Sequence, residues 1–260
     1  MILNRLLLII WTTFLVVLPG CFSSSSDSFD VVVFAAASLG KALREIQDDY
    51  ESNNPWRLKL NYGGSQSLAQ QIASGAPADM LISAGEHPVS FLQEKNMIGD
   101  IESDLLGNRL VVVVGLDSHL ELSSIKDLLK SEVRRVAIAD PNLAPAGMYA
   151  RHSLLNGDVW EQLSSKLVFG QNVRATLAFV ESGNADVAIV YVTDAMESQS
   201  VMLLDIIPTD SYPRIEYPVV VIKGSKQQRG ALSFFEYIKS SVALDIFARY
   251  GFGILSGTFR

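Results

Sequence analysis

Thiols are almost missing from this chain: Cys21 is the one cysteine in 260 residues. No intramolecular disulfide can form, so the fold has to hold by its core alone. Histidine is scarce as well. His87, His119 and His152 stand in no pattern with an acid, and no His/Cys spacing suited to a metal occurs. Basic runs are absent. With 21 Lys and Arg against 28 Asp and Glu the net charge is −7, and no Lys/Arg cluster could displace counterions from nucleic acid or form a polybasic membrane patch. An acidic chain that binds an anion must do so with local donors. What the chain has in quantity is apolar residues, 48% against 19% charged, which suits a folded protein with an ample core.

The longest apolar stretch, Leu6 to Leu18, follows Arg5 and is too short to span a bilayer comfortably. It leads into Leu18-Pro19-Gly20-Cys21 and then "FSSSSDS", so residues 1–20 read as a signal peptide and 21–28 as a polar tether. The segment resembles a bacterial lipoprotein signal, in which Cys21 would be lipidated and become the mature N-terminus. An ordinary secretory signal with an incidental cysteine is the alternative. Either way the protein is expected to be exported.

From Phe29 onward, strand-like runs alternate with helix-like ones. Val31–Ala36, Leu58–Tyr62, Met80–Ser83, Leu110–Gly115, Arg135–Ala139, Leu167–Phe169, Val187–Tyr191 and Val219–Ile222 read as strands. Leu39, Ala42, Leu43, Ile46 and Tyr50 fall at helical spacing. Such alternation predicts a parallel α/β sheet covered by helices. There is also an internal echo. "IASGAPADMLIS" (Ile72–Ser83) and "VESGNADVAIVY" (Val180–Tyr191) share a Ser-Gly, an Ala-Asp and a following apolar run, each after a glycine-led loop. The echo predicts two related lobes with a cleft between them.

Every candidate for chemistry lies where a strand ends and a helix begins, the usual place for ligands in open α/β sheets. Ser38 follows the first strand, Ser65 follows "LKLNYGG", Pro145-Ala146 sits in "DPNLAPAGMYA", and Asn172 is placed to cap a helix from Val173. Helix N-termini there offer free N–H groups and a partial positive charge. Ser38 taken alone suits a helix N-cap. Gly63 and Gly64 suit close backbone approach to a ligand, and Tyr191 closes the second echo. A hydrolase reading finds little: the Gly-x-Ser-x-Gly elbow is broken in "YGGSQS", because Ser67 holds its last position.

Together, "VFAAASL", "GGSQSLAQQIASGAPADMLISA", "DPNLAPAGMYA", "NVRATLAFVESGNADVAIVYVTDA" and "YPVVVI…YGF" resemble the periplasmic molybdate-binding proteins of ABC transporters, over nearly the whole chain after the tether. The resemblance implies a two-lobed periplasmic-binding-protein fold of type II, each lobe a mostly parallel sheet flanked by helices, with the ligand in the interlobe cleft. Residues 29–108 plus 217–260 would form the first lobe and 109–216 the second. It implies a non-enzymatic, monomeric binder that captures molybdate, and tungstate too, and delivers it to a membrane permease. The metal would enter only as the bound oxyanion, with no cofactor. Carried over by motif, the anion contacts are the Ser38 and Ser65 hydroxyls, the N–H groups of Ala146 and Val173, and the Tyr191 hydroxyl, with Ser67 an alternative to Ser65. A cage of donors alone would favour fully ionised oxyanions over protonated phosphate. A binder for sulfate or another tetrahedral oxyanion is the nearest alternative, and a secreted serine hydrolase using Ser38 or Ser65 the more distant one.

Overall fold

The computed structural model describes residues 30–255; the signal segment, the tether and Cys21 lie outside the described residues. The chain begins β1 (Asp30–Ala36), α1 (Gly40–Asn53), β2 (Arg57–Gly63), α2 (Ser65–Ala73), β3 (Met80–Ile82) and α3 (His87–Glu94), then runs through the long β4 (Ile98–Asn108). After β5 (Leu110–Gly115) the same pattern recurs as β6 (Val136–Ala139), α4 (Pro145–Asn156), the short α5 (Trp160–Leu163), β7 (Leu167–Gly170), α6 (Val173–Glu181) and β8 (Val187–Tyr191). Helix α7 (Val192–Glu197) and β9 (Val201–Ile206) complete that half. The chain then returns through β10 (Ile215–Ile222), α8 (Gln228–Ile238), α9 (Ser241–Arg249) and β11 (Gly253–Ile254).

Two sheets result. The first has the order β11-β4-β10-β3-β1-β2 and the second β7-β6-β8-β5-β9. Each contains the same core unit: β3-β1-β2 in one, β8-β6-β7 in the other, all neighbours parallel. An antiparallel strand flanks each unit, β10 beside β3 and β5 beside β8. The expectation of mostly parallel sheets therefore needs correction. Strands joined by a helical crossover are parallel, as such connections require. The strands adjoining the crossings, β4, β5, β9 and β10, form antiparallel pairs instead. The chain passes from the first sheet to the second at Arg109 and returns through residues 207–214.

The echo has a physical basis. In each copy a helix ends just before a glycine with positive φ, Gly75 (95°) after α2 and Gly183 (69°) after α6, where an L side chain would be strained. The aspartate a few residues later ties down the neighbouring strand. Asp79 Oδ2 accepts the N–H of Val32 in β1 at 2.8 Å. Asp186 Oδ2 accepts the N–H groups of Arg134 and Arg135, just before β6, each at 2.8 Å. Below the strand ends the core is closed. The spacing read for α1 buries Ala42, Leu43, Ile46 and Tyr50 completely, and the Tyr50 hydroxyl donates to Ser233 Oγ at 2.9 Å.

Candidate functional site: the interlobe cleft

The C-terminal ends of β1 and β2 face those of β6, β7 and β8 across a small cavity. Ser38, Ser65, Ala146, Val173 and Tyr191 all line it, with Gly63, Gly64, Ala84, Pro145 and Asn172 among the remaining wall. No histidine and no charged side chain belongs to that wall. Ser67 stands outside it, half-buried, with its N–H donated to the Leu143 carbonyl at 3.2 Å.

Each wall residue has a distinct local origin. Ser38 lies in a single 3-10 turn, Ala37–Leu39, that leads into α1. It is not a helix cap, because Leu39 holds that position and no side chain caps α1. Its Oγ is instead 3.0 Å from the Tyr217 hydroxyl. Ser65 is the first residue of α2, and its Oγ accepts the Ala84 N–H at 3.1 Å. With an acceptor site filled, the Ser65 hydroxyl keeps its hydrogen for another partner. Ala146 follows Pro145 in the first turn of α4, and Val173 opens α6. Main-chain N–H groups at these positions have no preceding carbonyl within the helix to pair with. Asn172 caps α6 as its sequence position suggested, accepting from the Ala175 N–H at 3.0 Å.

Tyr191 is the outlier. It is buried, and its hydroxyl has no hydrogen-bond partner within the protein. Burial pushes its pKa well above 10, reinforced by the neighbouring Tyr217, so it stays a neutral donor. An unpaired buried hydroxyl of this kind is costly unless something binds it.

The two lobes close tightly around the cavity. A β-carbon on Gly64 would lie 2.3 Å from the Leu143 carbonyl oxygen and 2.9 Å from that of Gln171. The glycine thus serves close approach, as its position suggested, but what approaches is the backbone of the opposite lobe. Lys41 of α1 donates to the Glu197 carbonyl at 2.8 Å. Its Nζ is 3.8 Å from the Glu197 carboxylate, which Arg174 also pairs at 3.1 Å. Arg174 in turn reaches the fully buried Asp194 at 3.4 Å. Desolvation lifts the Asp194 pKa to about 7, with Arg174 opposing it and Glu197 adding to it.

Sequence reasoning missed this charged group, and it missed the hydrogen-bonding role of Asn108 and Tyr217. Asn108 is a single polar residue at a strand end, and Tyr217 belongs to a motif whose visible signal is its valines. Nothing in the local sequence marks Tyr217 as a neighbour of Ser38 or Asn108 as a neighbour of Tyr217.

Known proteins are similar to this chain over most of its length. A family model described as a bacterial extracellular solute-binding protein matches residues 31–253. A putative ABC transporter substrate-binding lipoprotein of Bacillus subtilis (strain 168) is 38% identical over 248 residues, covering 93% of this chain and 94% of its own. The molybdate-binding protein ModA of Escherichia coli (strain K12) is 36% identical over 239 residues, 88% of this chain and 91% of its own. Among solved structures, the substrate binding domain of a putative molybdenum ABC transporter from Clostridium difficile is 36% identical. It has a TM-score of 0.66 and covers 87% of this chain and 99% of that one. The periplasmic molybdate-binding protein of Azotobacter vinelandii, 20% identical with a TM-score of 0.79 over 87% of this chain and 100% of that one, shares the fold. With the matched region running through both lobes, and relatives 36–38% identical over most of its length, this chain belongs to the family of bacterial extracellular solute-binding proteins.

Proposed function

We propose that the cleft binds molybdate, with tungstate as a second ligand, and that the protein hands it to the permease of an ABC importer. The observation that carries this reading is the unpaired, buried Tyr191 hydroxyl in a wall it shares with two serine hydroxyls and two helix N-termini. These are donors converging on one small space with no carboxylate or imidazole opposite them. A dianion meets that set directly. Each hydrogen bond to a charged group contributes roughly 1.5–3 kcal/mol, so several neutral donors offset much of the ion's desolvation, assisted by the helix dipoles. The relatives named for molybdate and molybdenum support the same ligand for this chain. In this reading Ser38, Ser65, Ala146, Val173 and Tyr191 are the anion contacts, and molybdenum enters only as the centre of the cargo, without a cofactor. The lobes close by hinge motion at the two crossings. The protein acts as a monomer outside the cytoplasm, anchored through lipidated Cys21.

The hydrolase alternative finds no support at the serines. Ser38 is bonded to a phenol and Ser65 to a main-chain N–H, so neither has a base to take its proton. Calorimetric titration with molybdate, tungstate and sulfate tests the proposal. Tight uptake of molybdate with no response to excess sulfate is expected, and the reverse order of affinities would overturn it in favour of a sulfate binder.

A further inference from the structure

Asn108 ends β4 where the chain leaves the first sheet. Its Oδ1 accepts the Arg109 N–H at 2.9 Å. A main-chain N–H can only donate, so this contact settles which end of the amide is oxygen and turns Nδ2 inward. Nδ2 donates to Thr193 Oγ1 and to the Tyr217 hydroxyl, each at 3.0 Å. Tyr217 is fully buried, and the other hydrogen-bond neighbour of its hydroxyl is Ser38 Oγ at 3.0 Å. With its oxygen already accepting from Asn108, the phenol gives its hydrogen to Ser38. Burial raises the Tyr217 pKa, so that hydrogen is retained. Ser38 Oγ thus accepts from behind, and its own hydrogen is left for the cavity that Ser38 lines.

A serine hydroxyl in isolation is ambivalent: it rotates and can accept as readily as it donates. Here the choice is made by a chain of bonds that starts at one backbone amide, passes through Asn108 and Tyr217, and ends at the cleft. We infer that Asn108 and Tyr217 are positioning residues that hold the Ser38 hydroxyl as a donor and so bias the cleft toward tetrahedral oxyanions that carry no proton. The inference rests on the oxyanion reading of the cleft. It adds to that reading the origin of a selectivity: hydrogen phosphate and hydrogen arsenate bear an O–H that needs an acceptor, and the bond from Tyr217 takes one of the two acceptor sites of Ser38 and turns its hydrogen toward the cavity.

The test is calorimetry on the purified protein and on its Tyr217→Phe, Asn108→Leu and Ser38→Ala variants, with molybdate, sulfate and inorganic phosphate at about pH 8. Phenylalanine keeps the ring that packs edge-on against Tyr191 and Phe252 and removes only the hydroxyl. Tyr217→Phe is expected to weaken molybdate binding about tenfold, the scale of one hydrogen bond to a charged ligand. It is expected to strengthen phosphate binding relative to molybdate by more than that factor, with no matching gain for sulfate. Asn108→Leu shifts the selectivity the same way and carries the test if Tyr217→Phe does not fold. Sulfate is the decisive control, being similar in size to phosphate but without a proton.

Equal gains for sulfate and phosphate would mean a loosened cavity and overturn the inference, as would equal weakening toward every anion. If Ser38→Ala weakens molybdate binding while Tyr217→Phe changes nothing, the positioning role is wrong and the oxyanion site stands. If Ser38→Ala itself leaves molybdate binding unchanged, Ser38 is no contact and the inference falls, whereas a parent protein that takes up none of the three anions overturns the oxyanion reading itself.

Discussion

Gly64 and Leu143 sit on opposite lobes, yet a single added carbon on Gly64 would come within 2.3 Å of the Leu143 carbonyl oxygen. Gly64 has φ −69° and ψ 131°, a conformation open to any residue. Its glycine is therefore required by the approach of the other lobe and not by its own backbone. Gly64→Ala is expected to leave the stability of the protein nearly unchanged while keeping the lobes apart. Small-angle X-ray scattering with saturating molybdate should show the variant more extended than the parent, with an affinity lower by at least about tenfold, since a separated wall forfeits donors worth roughly 1.5–3 kcal/mol each. An unchanged scattering profile and affinity would show that the contact can relax without opening the cleft.

Tyr191→Phe separates binding from folding. The hydroxyl that it removes has no partner in the protein, so thermal stability measured without added anion should hold or rise. Molybdate affinity should fall by about 1–3 kcal/mol in calorimetry, the loss of one hydrogen bond to an ion. Stability and affinity moving down together would mean that the hydroxyl serves the fold.

The buried Asp194 gives a signed pH dependence. Its folded-state pKa is raised from 3.8 to about 7, so the native protein binds a proton there that the unfolded chain has already released. The contribution of this group to stability therefore grows as pH falls from about 7 toward about 4 and is lost as pH rises through that window. Compared with Asp194→Asn, which cannot titrate, the parent should gain stability across that fall in pH, as chemical denaturation at several pH values would reveal. Parallel curves for the two proteins would contradict the assignment. Glu197, also raised by burial and facing the same Arg174, remains in both and cancels to first order.

The paired aspartates of the echo differ in depth, and their substitutions should differ in cost. Asp79 is buried and accepts from Val32 N–H and, at 2.6 Å, from Ser225 Oγ. Asp79→Ala is expected to destabilise by about 1–3 kcal/mol, because buried donors lose their acceptor. Asp186 is partly open, with its side chain 22% exposed, and water can replace it. Asp186→Ala should cost visibly less in the same denaturation assay.

Much of this was readable in the sequence wherever the signal is local. Apolar runs gave most of the core strands, the spacing from Leu39 to Tyr50 gave the buried face of α1, and Asn172 announced its cap. The repeated Ser-Gly…Ala-Asp pattern pointed to two lobes, and the strand order shows why, since glycine and aspartate do the same work in each. Three strands went unread. β4 carries Asp, Glu and Gly through "IGDIESDLLGN", β9 leaves Leu203 and Ile206 partly exposed, and β11 has two residues. β4 and β11 lack the continuous apolar run of a central strand and lie at or near a sheet margin, whereas β9 carries a run of its own, Val201–Leu204, and was legible. Ser38 is the sharper lesson. Local preference favoured a cap, and a residue 179 positions away took its hydroxyl instead. No window along the chain can contain that pair.

The duplicated strand order makes β1 the counterpart of β6 and β2 the counterpart of β7, yet the two pairs hand over to different kinds of donor. After β1 and β2 the cavity meets side-chain hydroxyls, Ser38 and Ser65; after β6 and β7 it meets the helix starts at Ala146 and Val173. The grip is that of a vice with one fixed jaw and one adjustable jaw. Main-chain donors are set by their helices and survive almost any change of side chain, whereas hydroxyls are set by the residues behind them. Retuning this cleft toward another anion by substitution must therefore act through the first lobe or through Tyr191 at the end of β8, while the helix starts of the second lobe supply the unchanging face against which every candidate ion is measured.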